Sequence, residues 1–238
     1  MRRARFTDPA GTVRVGEWTE EGIVAAGRTH DLATVDVLAP VEASKVIGIG
    51  PNYRSMVEAV PDEGRLFWKG GTNVLAGHGD TVTLPSSGEV IYEAELGVVI
   101  GEGCRNVAAS EAESVVAGYT CIDDLSNQAY TDRDSFFRTK SFDGAAPTGP
   151  VVADPGSVPA DPRVRLWRNG EKRQDSADDE MLFSPSEVIA EVTKFVTLEP
   201  GDLLTTGTPA GIGRLSDGDR VEIEIEGVGR LEHDVRIL

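Results

Sequence analysis

Ten residues constrain this chain more than any others: positions 91–100, IYEAELGVVI. Their second half is apolar and rich in β-branched residues, which predicts a buried strand. Side chains alternate along a strand, so Glu93 and Glu95 share one face while Ala94, Leu96, Val98 and Ile100 fill the other. Two adjacent carboxylates beside a core strand repel each other and lose hydration unless something neutralises them. A divalent cation does so, and hard oxygen ligands suit Mg²⁺, Mn²⁺ or Ca²⁺ better than zinc. The alternative is an exposed edge strand carrying two solvated glutamates.

The rest of the 238 residues predicts a mixed, mainly β fold with short helices. Residues 1–44 form a small β-rich N-terminal segment. RARF from Arg3, TVRVG from Thr12 and GIVAA from Gly22 read as short strands, separated by turn signals at Asp8-Pro9, Gly11, Gly16 and Gly27. KVIGIG from Lys45 reads as a buried strand ending in the polar turn Pro51-Asn52-Tyr53-Arg54, the kind of strand end where folds place ligands. Tyr53 and Arg54 are therefore candidate substrate contacts, followed by a short helical piece around residues 55–60. The glycines here lack dinucleotide-fingerprint spacing. A capping box at Ser110–Glu113 predicts a helix of two turns stopping at Gly118. An apolar run then delivers Asp123 and Asp124. One of them could complete a metal site with Glu93 and Glu95, or both could cap the next turn.

Asn169-Gly170 predicts a tight hairpin. Ser184-Pro185 with Glu187 predicts a helix start, with Val188, Ile189, Val192, Phe195 and Val196 as one apolar face. LLTTGTPAGIG from Leu203 is a strand feeding a glycine-rich loop that can offer backbone N–H groups, Gly207's among them, to an anion. His30 sits in a polar context and reads as a surface residue, and His233 as a structural one. Cys104 and Cys121 have no metal-binding or redox spacing. With no signal-peptide h-region and no apolar run long enough to span a bilayer, a reducing cytoplasmic home is the simplest reading.

Charge excludes some partners. Asp and Glu number 40 against 23 Lys and Arg, a net charge of −17, and only five of the bases are Lys. So negative a field argues against nucleic acid and anionic membranes. Self-repulsion that salt would screen suggests a salt-adapted, halophilic cytoplasm. The alternative is an ordinary acidic protein.

Several motifs together resemble the fumarylacetoacetate hydrolase superfamily over residues 45–238. They are Gly50-Pro-Asn-Tyr-Arg54, Phe67-Trp-Lys69, Tyr92-Glu-Ala-Glu-Leu96 and Gly118-Tyr-Thr with Asp124-Leu-Ser126. Lys140-Ser-Phe-Asp143, Arg173-Gln-Asp-Ser176 and the stretch from Leu198 through Thr206-Gly-Thr-Pro-Ala-Gly-Ile-Gly213 continue the series in the family's order and spacing. The branch it is most similar to comprises 2-hydroxyhepta-2,4-diene-1,7-dioate isomerases and acylpyruvate hydrolases. The resemblance implies a catalytic domain folded as a β-sandwich roll, a homodimer, and Mg²⁺ or Mn²⁺ bound by Glu93, Glu95 and Asp124. It implies Lys140 as the active-site lysine, with Lys69 and Thr208 lining the substrate pocket and Asp123 behind the ligands. The metal would act as a Lewis acid on a small 2-oxo or 2-hydroxydienoate acid, stabilising an enolate.

Two departures refine this expectation. Hydrolytic members carry a histidine and a glutamate after the Asn-Tyr motif as a water-activating dyad, where this chain has Met56 and Ala59. The usual Ser-Ala-Arg is Ser126-Asn-Gln128. A thioether takes no proton at neutral pH. Decarboxylation or keto–enol isomerisation, which need an electron sink and no activated water, are therefore expected ahead of hydrolysis. The rivals are an acylpyruvate-type hydrolase with a replaced dyad and a degenerate protein that binds metal or ligand without turnover.

Overall fold

A computed structural model describes residues 1–133, 136–176 and 181–237. The expected mainly β architecture is present, and among these residues the α-helices are the short Phe136–Lys140 and Pro185–Thr193. Most strands join one twelve-stranded sheet, flanked by a five-stranded sheet and a three-stranded one. In the large sheet, Arg2–Thr7 pairs antiparallel with Ala146–Ala153, so strands of the N-terminal segment extend the same sheet that carries Ala94–Ile100. The Asn169-Gly170 turn joins Val164–Arg168 to Glu171–Asp175 in the five-stranded sheet.

The stretch 91–100 departs from expectation in an informative way. It is two strands. Val90–Tyr92 belongs to the three-stranded sheet, and Ala94–Ile100 to the large one. Glu93 is the joint between them. Every residue of Ala94–Ile100 is buried, because Val116–Asp123 pairs on one side, Leu203–Thr205 on the other, and core packs on one face around Ala94, Leu96, Val98 and Ile100 and on the other around Val99. Burial on both faces fits its run of Leu, Val and Ile, and rules out the exposed-edge alternative.

Three helical expectations change. The capping box near Ser110 yields only a 3₁₀ turn, Ala112–Val115, without a side-chain cap. Val116 instead pairs with Ile100, and two consecutive β-branched valines favour that strand over a helix. Residues 55–60 hold no helix beyond the 3₁₀ turn Arg54–Met56. Pro185–Thr193 has the predicted capping box and buries Val188, Ile189 and Val192 against Ile47, Ile49, Val98 and Leu204. Phe195 lies past its end and is 68 % exposed. His30 packs half-buried on Phe6, and His233 is fully buried. No helix among the described residues is long and apolar enough to cross a membrane.

Candidate active site

The break at Glu93 frees two backbone N–H groups from the strand ladder, and side chains capture both. Glu93 N–H donates to Asp123 Oδ1 at 2.8 Å, and Ala94 N–H donates to Gln174 Oε1 at 3.0 Å. These acceptors are themselves anchored. Asp123 Oδ2 lies 2.9 Å from His233 Nε2, and Gln174 Nε2 donates to Thr208 Oγ1 at 2.8 Å and to the Pro209 carbonyl at 2.7 Å. Asp123, Gln174 and His233 are all essentially without solvent exposure. Glu93 thus sits beside Glu95, two residues on, and Asp124 reaches the same point from the end of Val116–Asp123, its N–H donating to the Glu93 carbonyl at 2.9 Å. Ligand oxygens of Glu93, Glu95 and Asp124 lie within 4.8 Å of one another.

Lys140 closes the cluster. Its Nζ donates to Glu93 Oε2 and to Asp124 Oδ2, each at 2.6 Å. Lys69 is fully buried behind Asp124, forming an ion pair with it and donating to the Leu125 carbonyl at 3.0 Å. Ser126 Oγ adds a hydrogen bond to Glu93 Oε2. Among the described residues no lysine forms an ion pair with Glu95; Gly207 N–H donates to its Oε2 at 2.7 Å. The glycine-rich loop thus uses this N–H on a protein carboxylate. Gly207 has φ +86°, and a Cβ there would meet Asn52 Cβ at 2.7 Å, so only glycine serves. Asn52 fixes the loop from beneath, donating to the Thr206 and Phe183 carbonyls at 2.7 and 2.9 Å.

Three acids against two lysines leave one carboxylate in excess. Burial, reinforced by the neighbouring Asp124 charge, pushes the Glu95 carboxyl well above the usual range. Burial alone would also raise Asp124, but Lys140 and Lys69 outweigh it and hold that carboxyl low. Burial works against the Lys140 ammonium, yet Asp124, Glu93 and Glu95 together raise it. For Lys69 burial wins, and its ammonium is held below the usual lysine range. A divalent cation fits this set: three hard oxygen donors converge, and its charge removes the penalty that falls on Glu95.

The carboxylates and Lys140 open onto a cavity of about 200 Å³, whose other walls include Met56, Arg65, Phe67, Phe136, Gly207 and Thr208. A larger groove, about 790 Å³, lies elsewhere, lined by Arg163, Arg165 and Arg230 among others, and holds none of these residues. Tyr53 is buried and Arg54 exposed, and neither lines the acid-bearing cavity; nor does Lys69, which lies behind Asp124. Asn52, Ser126 and Gln174 stand inside family-like motifs, but nothing local marks them as hydrogen-bonding hubs, and nothing in the sequence around Arg65 places it on this cavity.

Residues 45–236 match the fumarylacetoacetate (FAA) hydrolase C-terminal family, and the chain belongs to that family. The fold superposes on 5-carboxymethyl-2-hydroxymuconate delta-isomerase from Mycobacterium smegmatis with a TM-score of 0.92, 32 % identity and full coverage of both chains. Maleylpyruvate hydrolase from Sphingobium sp. SYK-6, solved with manganese(II) and pyruvate, superposes with a TM-score of 0.85 at 29 % identity, covering 100 % of this chain and 99 % of that one. The 4-hydroxyphenylacetate degradation bifunctional isomerase/decarboxylase of Escherichia coli is 38 % identical over 195 residues, 78 % of this chain and 45 % of that protein.

Proposed function

We propose that this protein is a divalent-metal-dependent enzyme that acts on a small 2-oxo or 2-hydroxydienoate acid by decarboxylation or keto–enol isomerisation. Glu93, Glu95 and Asp124 would hold Mg²⁺ or Mn²⁺. When bound, that ion supplies Lewis acidity toward the oxygens of a 2-oxo acid head. Lys140, already charged and fixed by two carboxylates, places positive charge where an enolate oxygen develops. In a decarboxylation the C–C bond to the departing carboxylate breaks, CO₂ leaves, and its electron pair becomes the enolate; a proton then returns to carbon. In a keto–enol isomerisation the enol O–H bond breaks and its electron pair forms the C=O bond, the C=C pair shifts along the chain, and a proton is taken up at carbon. Thr208, which lines the cavity, would orient a substrate oxygen.

The observation that carries this reading is Met56. It lines the cavity with the three acids, and among the described residues no histidine lines it. A site with an electrophilic end and a thioether where a base would activate water favours chemistry that needs no hydroxide. The named isomerase and isomerase/decarboxylase relatives support the same choice.

The test is a turnover assay on oxaloacetate and acetylpyruvate in parallel with Mg²⁺ or Mn²⁺, using Asp124→Ala as control. Metal-dependent loss of oxaloacetate well above the control, with acetylpyruvate untouched, is expected. Cleavage of acetylpyruvate would show that water is activated by another group and would overturn the reading of Met56.

A further inference from the structure

The cavity has a cation at each end of one wall. Lys140 Nζ, among the carboxylates, lies 4.8 Å from the centre of the Phe67 ring. Phe67 stacks on Phe136, with centroids 5.9 Å apart and planes 6° from parallel. The guanidinium carbon of Arg65 rests 4.8 Å from the centre of Phe136. Cation, ring, ring and cation therefore run in sequence, and all four residues line the cavity.

Arg65 differs from most arginines of this chain. Arg5, Arg14, Arg165 and Arg220 each meet a carboxylate, as expected where acids outnumber bases 40 to 23. Among the described residues no carboxylate pairs with Arg65; its side chain rests on the Phe136 ring. An exposed arginine is ordinary by itself. This one shares a cavity with the three acids, and the ring beneath it restricts the rotamers of its planar fork. A guanidinium so held is organised for a carboxylate brought from outside.

We propose that Arg65 anchors a second carboxylate, so that the substrates of this site are two-ended acids. The 2-oxo acid head lies at Glu93, Glu95, Asp124 and Lys140. An apolar middle runs along Phe67, Phe136 and Met56, and the distal carboxylate meets Arg65. This inference rests on the 2-oxo acid reading of the site given above.

The experiment compares matched 2-oxo acids by calorimetry on the Mn²⁺-loaded protein at one ionic strength. The pairs are 2-oxoglutarate with 2-oxopentanoate, 2-oxoadipate with 2-oxohexanoate, and 2-oxopimelate with 2-oxoheptanoate. Each pair has equal carbon number and differs in the terminal carboxylate. For at least one length the diacid should bind about tenfold tighter or more, as one charge-assisted contact provides. Arg65→Gln should erase that gap, and Arg65→Lys should restore part of it, since the charge returns without the fork. Equal affinities within all three pairs, or a gap that survives Arg65→Gln, would overturn the role of Arg65 while leaving the 2-oxo acid reading intact. If neither member of any pair binds, the parent reading fails and this inference falls with it. Because Arg65 is exposed, both variants are expected to fold, and a circular dichroism melt checks that.

Discussion

Glu95 owes its hydrogen bond to one glycine. In Gly207→Ala the left-handed backbone is strained and the new Cβ falls against Asn52, so the N–H turns from Glu95. A hydrogen bond to a charged group contributes about 1.5–3 kcal/mol. Mn²⁺ affinity, read by calorimetry, should therefore fall about tenfold or more; an unchanged value would detach Glu95 from the metal. Lys69 makes a different prediction. It is wholly buried against Asp124, so Lys69→Met leaves a buried carboxylate with one cation in place of two. Breaking a buried pair by removing one partner costs about 3–5 kcal/mol. The midpoint of urea unfolding should drop accordingly, and a variant as stable as the parent would show that Lys140 alone suffices.

Among elements, the interrupted strand carries the most information. Two N–H groups leave the ladder at Glu93 and Ala94, and Asp123 and Gln174 receive them from separate strands. Asp123→Leu should strand both Glu93 N–H and His233, at about 1–3 kcal/mol for an unsatisfied buried donor, and should weaken Mn²⁺ binding as well. Asp123→Asn keeps an acceptor for Glu93 N–H and should recover most of both. If Asp123→Leu lost stability yet bound Mn²⁺ as before, the break would have no part in placing Glu93. The hairpin to Asp175 offers a pH test. The Arg163 hydrogen bond, opposed by slight burial and aided by Lys172, holds the Asp175 carboxyl down to about 2. A depressed folded-state value means the stabilisation is present above the ordinary carboxylate range near 4 and is lost as pH falls toward 2. Asp175→Asn should lower the urea midpoint at pH 6 and bring the variant and parent together near pH 2; parallel curves across that window would refute it.

At the scale of the whole molecule, charge is the outstanding property. A net −17 on 238 residues works against compaction through self-repulsion that salt screens. The melting temperature should rise between low salt and molar KCl, and a flat response would remove the case for salt adaptation. The same field bears on ligands. On the proposed function an anionic substrate would approach this acidic protein against repulsion, and Lys140 and Arg65 would supply the local attraction that the net charge denies.

Local pattern determined much of this protein by itself. Apolar alternation and β-branched runs, Asn169-Gly170 and the Ser184 capping box depend on neighbours in the chain, and the elements they predict are present. The pairing of Glu93 with Glu95 was legible for the same reason, two residues apart on extended backbone. What the chain could not reveal locally was decided by competition between distant segments. The capping box at Ser110 yielded to strand pairing at Val116, because a ladder with Ile100 satisfies more backbone than a short isolated helix could. The division of residues 91–100 depends on Asp123, Gln174 and His233, up to 140 positions away. The lone carboxylate excess at Glu95, Lys69 behind Asp124, and Arg65 facing the same cavity as Lys140 are likewise tertiary facts. Burial and charge pairing are properties of a position in space, and only the packed sheets assign those positions.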